Sequence, residues 1–159
     1  MWRPGFPCVE RRHAHLYGYH RALCVLSHVH RGTPEKPGLV LGLDRGGRCH
    51  GVAFRVLEQE ADATVAYLRE REQVTSVYLE RWLPIRLDDS RSVRALAYVV
   101  DRQHPQYVRP EVFEDVVALV RQGHGVSGAN VDYVRSTHEH LMAMNVVDPL
   151  LQKITRALS

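Results

Sequence analysis

What most constrains this chain is the order in which its apolar periodicities change. Strand-like patterning fills the first half, a short helix-like stretch follows, strand patterning returns, and the last third repeats at helical spacing. That order groups strands and helices separately, as in an α+β fold, rather than alternating them along a parallel sheet. Residues 16–29 carry apolar and aromatic side chains with partial alternation, as a long or bulged strand would. Residues 39–43 and 49–56 read as two strands joined by the turn signal Asp44-Arg45-Gly46-Gly47, so a hairpin is expected. Residues 77–87 and 93–100 read as a second hairpin about Asp88-Asp89-Ser90-Arg91. In its second strand Val93, Ala95, Ala97 and Val99 share one face, and Leu96, Tyr98 and Val100 the other. Apolar character on both faces suits a buried strand. Two hairpins plus a long strand lead to the expectation of a small antiparallel or mixed barrel, or a curled sheet.

The helical stretches are marked by spacing and by their ends. Ala61, Val65 and Leu68 set a helical period within 59–73. Pro110 suits a helix start, and Val112, Val116, Leu119 and Val120 give one apolar face before Gly123. Residues 130–144 and 149–158 read as two further helices, with Asn130 a reasonable N-cap. The segment Arg31-Gly32-Thr33-Pro34-Glu35-Lys36-Pro37-Gly38 holds two prolines and two glycines and must be a loop. No repeat, low-complexity tract or linker divides the sequence, so 1–159 is expected to be a single domain.

Composition narrows the partners. No apolar run approaches the ~20 residues needed to span a bilayer, so no membrane contact is expected. The N-terminus has a charge but no apolar stretch behind it, so it does not read as a signal peptide. The formal charge of +3 is scattered, with no basic block, so no nucleic-acid partner is expected. A slight positive bias suits a small anionic substrate instead. Three cysteines without a CxxC pair argue against a disulfide framework and a thiolate zinc site. They fit a reducing, cytoplasmic setting.

Several residues could carry chemistry. The pairs His13/His15 and His28/His30 have strand spacing that shares a face, whereas His138/His140 would diverge on a helix. With no HExxH and no cysteine partner, the ten histidines are expected to be structural or exposed and no metal is expected. Glu70 and Glu72 lie in the run Arg69-Glu70-Arg71-Glu72-Gln73, ordinarily a solvated face. One of them could instead serve as a general base if its surroundings raised its pKa, and periodicity leaves both open. The glycine of Arg31-Gly32-Thr33 lets backbone and guanidinium approach a carboxylate. Gly128-Ala129-Asn130-Val131-Asp132-Tyr133 could cap a helix or bind a carboxylate at its N-terminus.

The string His30-Arg31-Gly32-Thr33-Pro34-Glu35-Lys36-Pro37-Gly38 resembles a signature of the ChaC family of γ-glutamylcyclotransferases. Trp2-Arg3-Pro4-Gly5-Phe6, Gly51-Val52-Ala53-Phe54-Arg55-Val56, Arg71-Glu72 with Tyr78, His104-Pro105-Gln106-Tyr107 and Gly128 to Tyr133 match other family segments in the same order. The resemblance covers essentially the whole chain and is greatest to bacterial members. It implies a small β-barrel with flanking helices and no cofactor. It also implies cleavage of glutathione to 5-oxoproline and cysteinylglycine by intramolecular aminolysis.

The same resemblance puts the catalytic glutamate on Glu72. It implies substrate contacts from Arg31, Gly32, Thr33, Tyr78, Tyr107, Asn130 and Tyr133. Glutathione is the expected partner and a monomer or weak dimer the expected state. Family members carry a strand and a tyrosine-glycine-serine-leucine loop immediately before the tryptophan that matches Trp2. Here Met1 stands at that point, so an incomplete N-terminus is expected. The alternative reading is an inactive homologue or binding protein of the same fold.

Overall fold

A computed structural model describes residues 4–72 and 76–159. Trp2 and Arg3 of the aromatic N-terminal segment, and Gln73, lie outside the described residues. The elements run β1 (Glu10–Ser27), β2 (Gly38–Arg55), α1 (Glu58–Glu72), β3 (Tyr78–Leu87), β4 (Ser92–Val100), α2 (Phe113–Gln122), β5 (His124–Gly125), β6 (Gly128–Ala129), α3 (Asn130–Ala143) and α4 (Pro149–Ala157). The order along one four-stranded sheet is β2-β1-β3-β4, and β5 and β6 form a small ribbon. The architecture is α+β, as the order of periodicities predicts. The chain divides into two compact units, Met1–Arg21 with Leu43–His104, and Ala22–Gly42 with Pro105–Ser159.

In the first unit β3 and β4 pair without a break from Tyr78↔Val100 to Arg86↔Ser92, so the second expected hairpin forms. β1 joins β3 in antiparallel register at Ala14↔Leu87, His15↔Arg86 and Leu16↔Ile85. Ala14, Leu16 and Ile85 make a buried cluster, with Leu43, Cys49, Ala53, Leu83 and Ala95 packed around it. Each fully buried leucine or isoleucine of this kind contributes roughly 1.5–3 kcal/mol. In α1 Thr64 and Leu68 are buried, one helical turn apart.

Beside this core three imidazoles meet. His13 Nδ1 lies 3.2 Å from His50 Nε2, and His15 stacks on His50. Burial, then the neighbouring charges of His15 and His13, hold His50 below its ordinary value.

The second unit has a larger core, built from Leu23, Leu39, Val116, Val120, Val134, Leu141, Val146, Leu151 and Ile154. Asn130, Val134, Thr137 and Leu141 form the buried stripe of α3 at spacings of four, three and four. Asp148 caps α4 by accepting from the Leu151 N–H at 3.0 Å, with Pro149 in its first turn.

Four expectations need correction. The stretch 39–56 is not a hairpin: β2 runs straight through Asp44-Arg45-Gly46-Gly47. Gly46 and Gly47 do take left-handed φ of 105° and 67°, but they bend the strand rather than reverse it, as a bulge does. Asp44 is buried and paired to Arg102 Nε at 2.7 Å, which an exposed turn would not allow. The sheet is also not a closed barrel, because among the described residues β2 and β4 are its edges.

Pro110 does not start a helix, since α2 begins at Phe113 with Val112 as N-cap. Nor does Asn130 cap α3. Ala129 holds the cap position without a side-chain bond, and the Asn130 amide is turned to the backbone of Leu39 instead.

Candidate active site

The carboxylates of the charged run separate by helical phase. Glu72 follows Thr64 and Leu68 at intervals of four, so it continues the buried stripe of α1, whereas Glu70 points off that face and is exposed. The Glu72 side chain keeps 24% of its surface, and its Oε1 lies 3.6 Å from Arg71 Nε. Arg71 also reaches the Tyr67 hydroxyl at 3.4 Å and the Pro4 carbonyl at 3.5 Å. Phe6 packs edge-on against Tyr67 and Phe54, so the described part of the aromatic N-terminal segment lies against the helix that carries Glu72. Gly5 is required there: its φ is 72°, and a Cβ would stand 2.3 Å from the Tyr67 hydroxyl oxygen.

On the adjoining hairpin Tyr78 and Glu80 share one face of β3. Arg69 Nε and Nη2 donate to the two oxygens of Glu80 at 2.8 Å each, and the Tyr98 hydroxyl donates to the same carboxylate at 3.1 Å. The Arg69 bond holds the Glu80 carboxyl below its usual range. Burial, then the bond to Glu80, pushes Tyr98 up to about 12, and the charge of Glu72 adds to that rise. Sequence reasoning missed Arg69, Glu80 and Tyr98. The signal available was positional: Glu80 directly faces Tyr98 once the hairpin register is set.

The remaining predicted residues belong to the second unit. Gly32 is buried with no room for a side chain, since a Cβ would lie 2.1 Å from the Gly38 nitrogen. Thr33 N–H donates to the Lys36 carbonyl at 3.0 Å, and its hydroxyl accepts from the Lys36 N–H at 3.2 Å. Arg31 donates to the carbonyls of Ser127 and Ala129, and its guanidinium lies 5.5 Å over the Tyr133 ring. Asn130 takes both backbone groups of Leu39, accepting at 2.6 Å and donating at 3.0 Å. The Tyr133 hydroxyl accepts from the Leu41 N–H at 3.1 Å. Tyr107 bridges to Val25 of β1. Arg31, Asn130 and Tyr133 thus converge on the loop and strand that follow β1, while Glu72 and Tyr78 belong to the first unit.

A half-buried carboxylate in the last turn of a helix, beside a tyrosine–carboxylate–guanidinium network, is a set of groups able to move protons. The fold around it is that of the yeast γ-glutamylcyclotransferase specific to glutathione. Its crystal structure matches 98% of this chain and 92% of that one, with a TM-score of 0.83 at 19% identity. The chain belongs to the ChaC-like protein family, whose model matches residues 1–159.

Among its relatives, the Escherichia coli glutathione-specific gamma-glutamylcyclotransferase is 34% identical over 93% of this chain. The chain spans 64% of that relative's own length. The zebrafish glutathione-specific gamma-glutamylcyclotransferase 1 is 30% identical, over 99% of this chain and 84% of the relative. No helix among the described residues is long and apolar enough to cross a membrane.

Proposed function

We propose that this chain is a glutathione-specific γ-glutamylcyclotransferase, a lyase that works as one domain over 1–159, with Glu72 as its base and acid. The observation that carries the reading is the position of Glu72. It is the one carboxylate of the charged run on the buried face of α1, in a chain whose relatives bear the name of this activity.

The chemistry asks for such a group. The α-ammonium of a γ-glutamyl residue cannot attack a carbonyl until a base takes its proton. Glu72 takes it; the freed amine then bonds to the γ-carbonyl carbon and closes a five-membered ring. As the amide C–N bond breaks, the proton held on Glu72 passes to the leaving nitrogen, and the second proton shed by the attacking nitrogen follows through Glu72, so the ring keeps one N–H and cysteinylglycine leaves as an ammonium. The products are 5-oxoproline and cysteinylglycine, and the protons balance without a co-reactant. Holding amine and carbonyl in one bent conformer removes much of the entropic barrier.

Tyr78 stands on the strand after α1 and is proposed to hydrogen-bond the substrate. Arg31, Gly32, Thr33, Tyr107, Asn130 and Tyr133 are proposed as further substrate-binding residues, Arg31 toward a glutathione carboxylate. The reaction needs no cofactor or Lewis acid. The setting is the reducing cytoplasm and the state a monomer or weak dimer.

The test is direct: incubate the chain with glutathione and measure 5-oxoproline and cysteinylglycine, with and without EDTA. Release of both, unaffected by chelator, supports the reading. Folded protein that binds glutathione without cleaving it would leave the binding-protein reading in its place.

A further inference from the structure

Three imidazoles sit side by side in the first unit, and neither its core nor the proposed reaction uses them. His13 and His15 are two residues apart on β1 and share a face, while His50 comes from the neighbouring strand β2. All three are partly buried. His13 Nδ1 and His50 Nε2 stand 3.2 Å apart. The His15 ring is nearly parallel to that of His50, at 11° and 4.6 Å between centroids. Two imidazole nitrogens bound to one tetrahedral ion at about 2.0–2.1 Å each stand roughly 3.3 Å from one another. The observed separation, which is also that of an N···N hydrogen bond between the two rings, matches the bite of a chelating pair.

We propose that His13 Nδ1 and His50 Nε2 bind a divalent transition-metal ion of the zinc type, with the stacked His15 ring fixing the orientation of His50. Imidazole donors select Zn²⁺, Cu²⁺ or Ni²⁺ over Mg²⁺ and Ca²⁺. No group of three or more His, Cys, Asp or Glu among the described residues is arranged to hold an ion. The site is thus a two-nitrogen chelate completed by water, unlike a structural zinc centre with four protein ligands.

The neighbours of His50 set its strength. Tyr17 stacks on His15 with ring centroids 6.3 Å apart, and the Cys49 thiol lies 3.7 Å from the His50 carbonyl oxygen. Arg21 Nη2 donates to that same carbonyl at 2.9 Å. The Arg21 charge opposes a dication, so affinity is modest and removing that charge should raise it.

The experiment titrates the whole chain with zinc chloride at neutral pH by calorimetry and follows the thermal midpoint. One equivalent should bind, and Tm should rise by about 5–10 °C at a hundredfold excess over Kd. His13→Asn and His50→Asn should each lose at least tenfold in affinity, Arg21→Gln should gain, and His28→Asn should not change. Because a histidine variant can fail to fold, the wild type is also examined with Cu²⁺ by electron paramagnetic resonance, where two bound imidazole nitrogens are expected. No zinc binding, no nitrogen coupling, or equal affinity in a folded His13→Asn/His50→Asn double variant would each overturn the site. Glutathione cleavage is a separate readout and bears on neither outcome.

Discussion

Tyr98 donates its hydroxyl to Glu80 at 3.1 Å, across directly paired positions of β4 and β3. Arg69 from α1 donates to both oxygens of that carboxylate, so a helix and a hairpin are joined through one glutamate. A phenol bound to a carboxylate keeps its proton, because ionisation would set two anions face to face.

That arrangement predicts a late-titrating tyrosine. Tyr98 is raised from an ordinary 10.0 to about 12, first by burial and then by Glu80. A folded pKa above the unfolded one means the native state keeps a proton that the unfolded chain loses. The contribution of this group to stability is therefore complete below pH 10 and lost as pH climbs from 10 to about 12. Ultraviolet titration should show a tyrosine phase near pH 12. Tyr98→Phe should remove that phase, and identical curves for the two proteins would contradict the assignment.

The Asn130 amide predicts a large stability effect. It is fully buried and imitates a strand neighbour for Leu39, bonding both its N–H and its carbonyl. Asn130→Ala leaves those two backbone groups buried and unpaired. At about 1–3 kcal/mol for each stranded group, a loss of roughly 2–6 kcal/mol is expected in a urea melt. Asn130→Asp should fall between, since one oxygen still accepts from Leu39.

Close approach of backbone predicts a contrast between glycines. A Cβ at Gly123 would lie 2.4 Å from the Arg31 carbonyl oxygen and 2.6 Å from Gly38 Cα, although the Gly123 backbone itself is unstrained at φ −71°. Gly51, within β2, has nothing within 4 Å. Gly123→Ala should cost about 1–3 kcal/mol or more by overpacking, and Gly51→Ala should be close to neutral. Thermal melts of the two variants decide it.

How much of this was legible in the sequence depends on whether the determining interaction was local. The helix α3 and the β3–β4 hairpin were both expected from the sequence, and both form. The straight run of β2 does not, because Asp44-Arg45-Gly46-Gly47 has turn chemistry. What decides its path is distant: Arg102 on Asp44, and His20 Nδ1 within 2.9 Å of the Gly46 carbonyl oxygen. Asn130 misled for the same reason, since its partner Leu39 is remote in sequence. Periodicity leaves Glu70 and Glu72 open and the family resemblance chooses Glu72, whose phase the structure sets in line with the buried Thr64 and Leu68.

That phase gives the sharpest prediction about activity. Glu72→Gln keeps the size of the side chain and its capacity for hydrogen bonds, but it cannot take a proton from the substrate ammonium. If Glu72 is the base, the variant should fold, bind glutathione and release 5-oxoproline at least ~10²-fold more slowly. The loss should fall on kcat, because removing proton transfer does not remove the contacts that bind substrate. Glu70→Gln, on the exposed face, should retain near-normal rates. Since Arg71 Nε lies 3.6 Å from the Glu72 carboxylate, Arg71→Gln is a third arm. It removes that contact and leaves the carboxylate itself, so it should slow release less than Glu72→Gln does. A dead Glu70→Gln beside an active Glu72→Gln would move the base to the opposite face of α1 and sink the assignment.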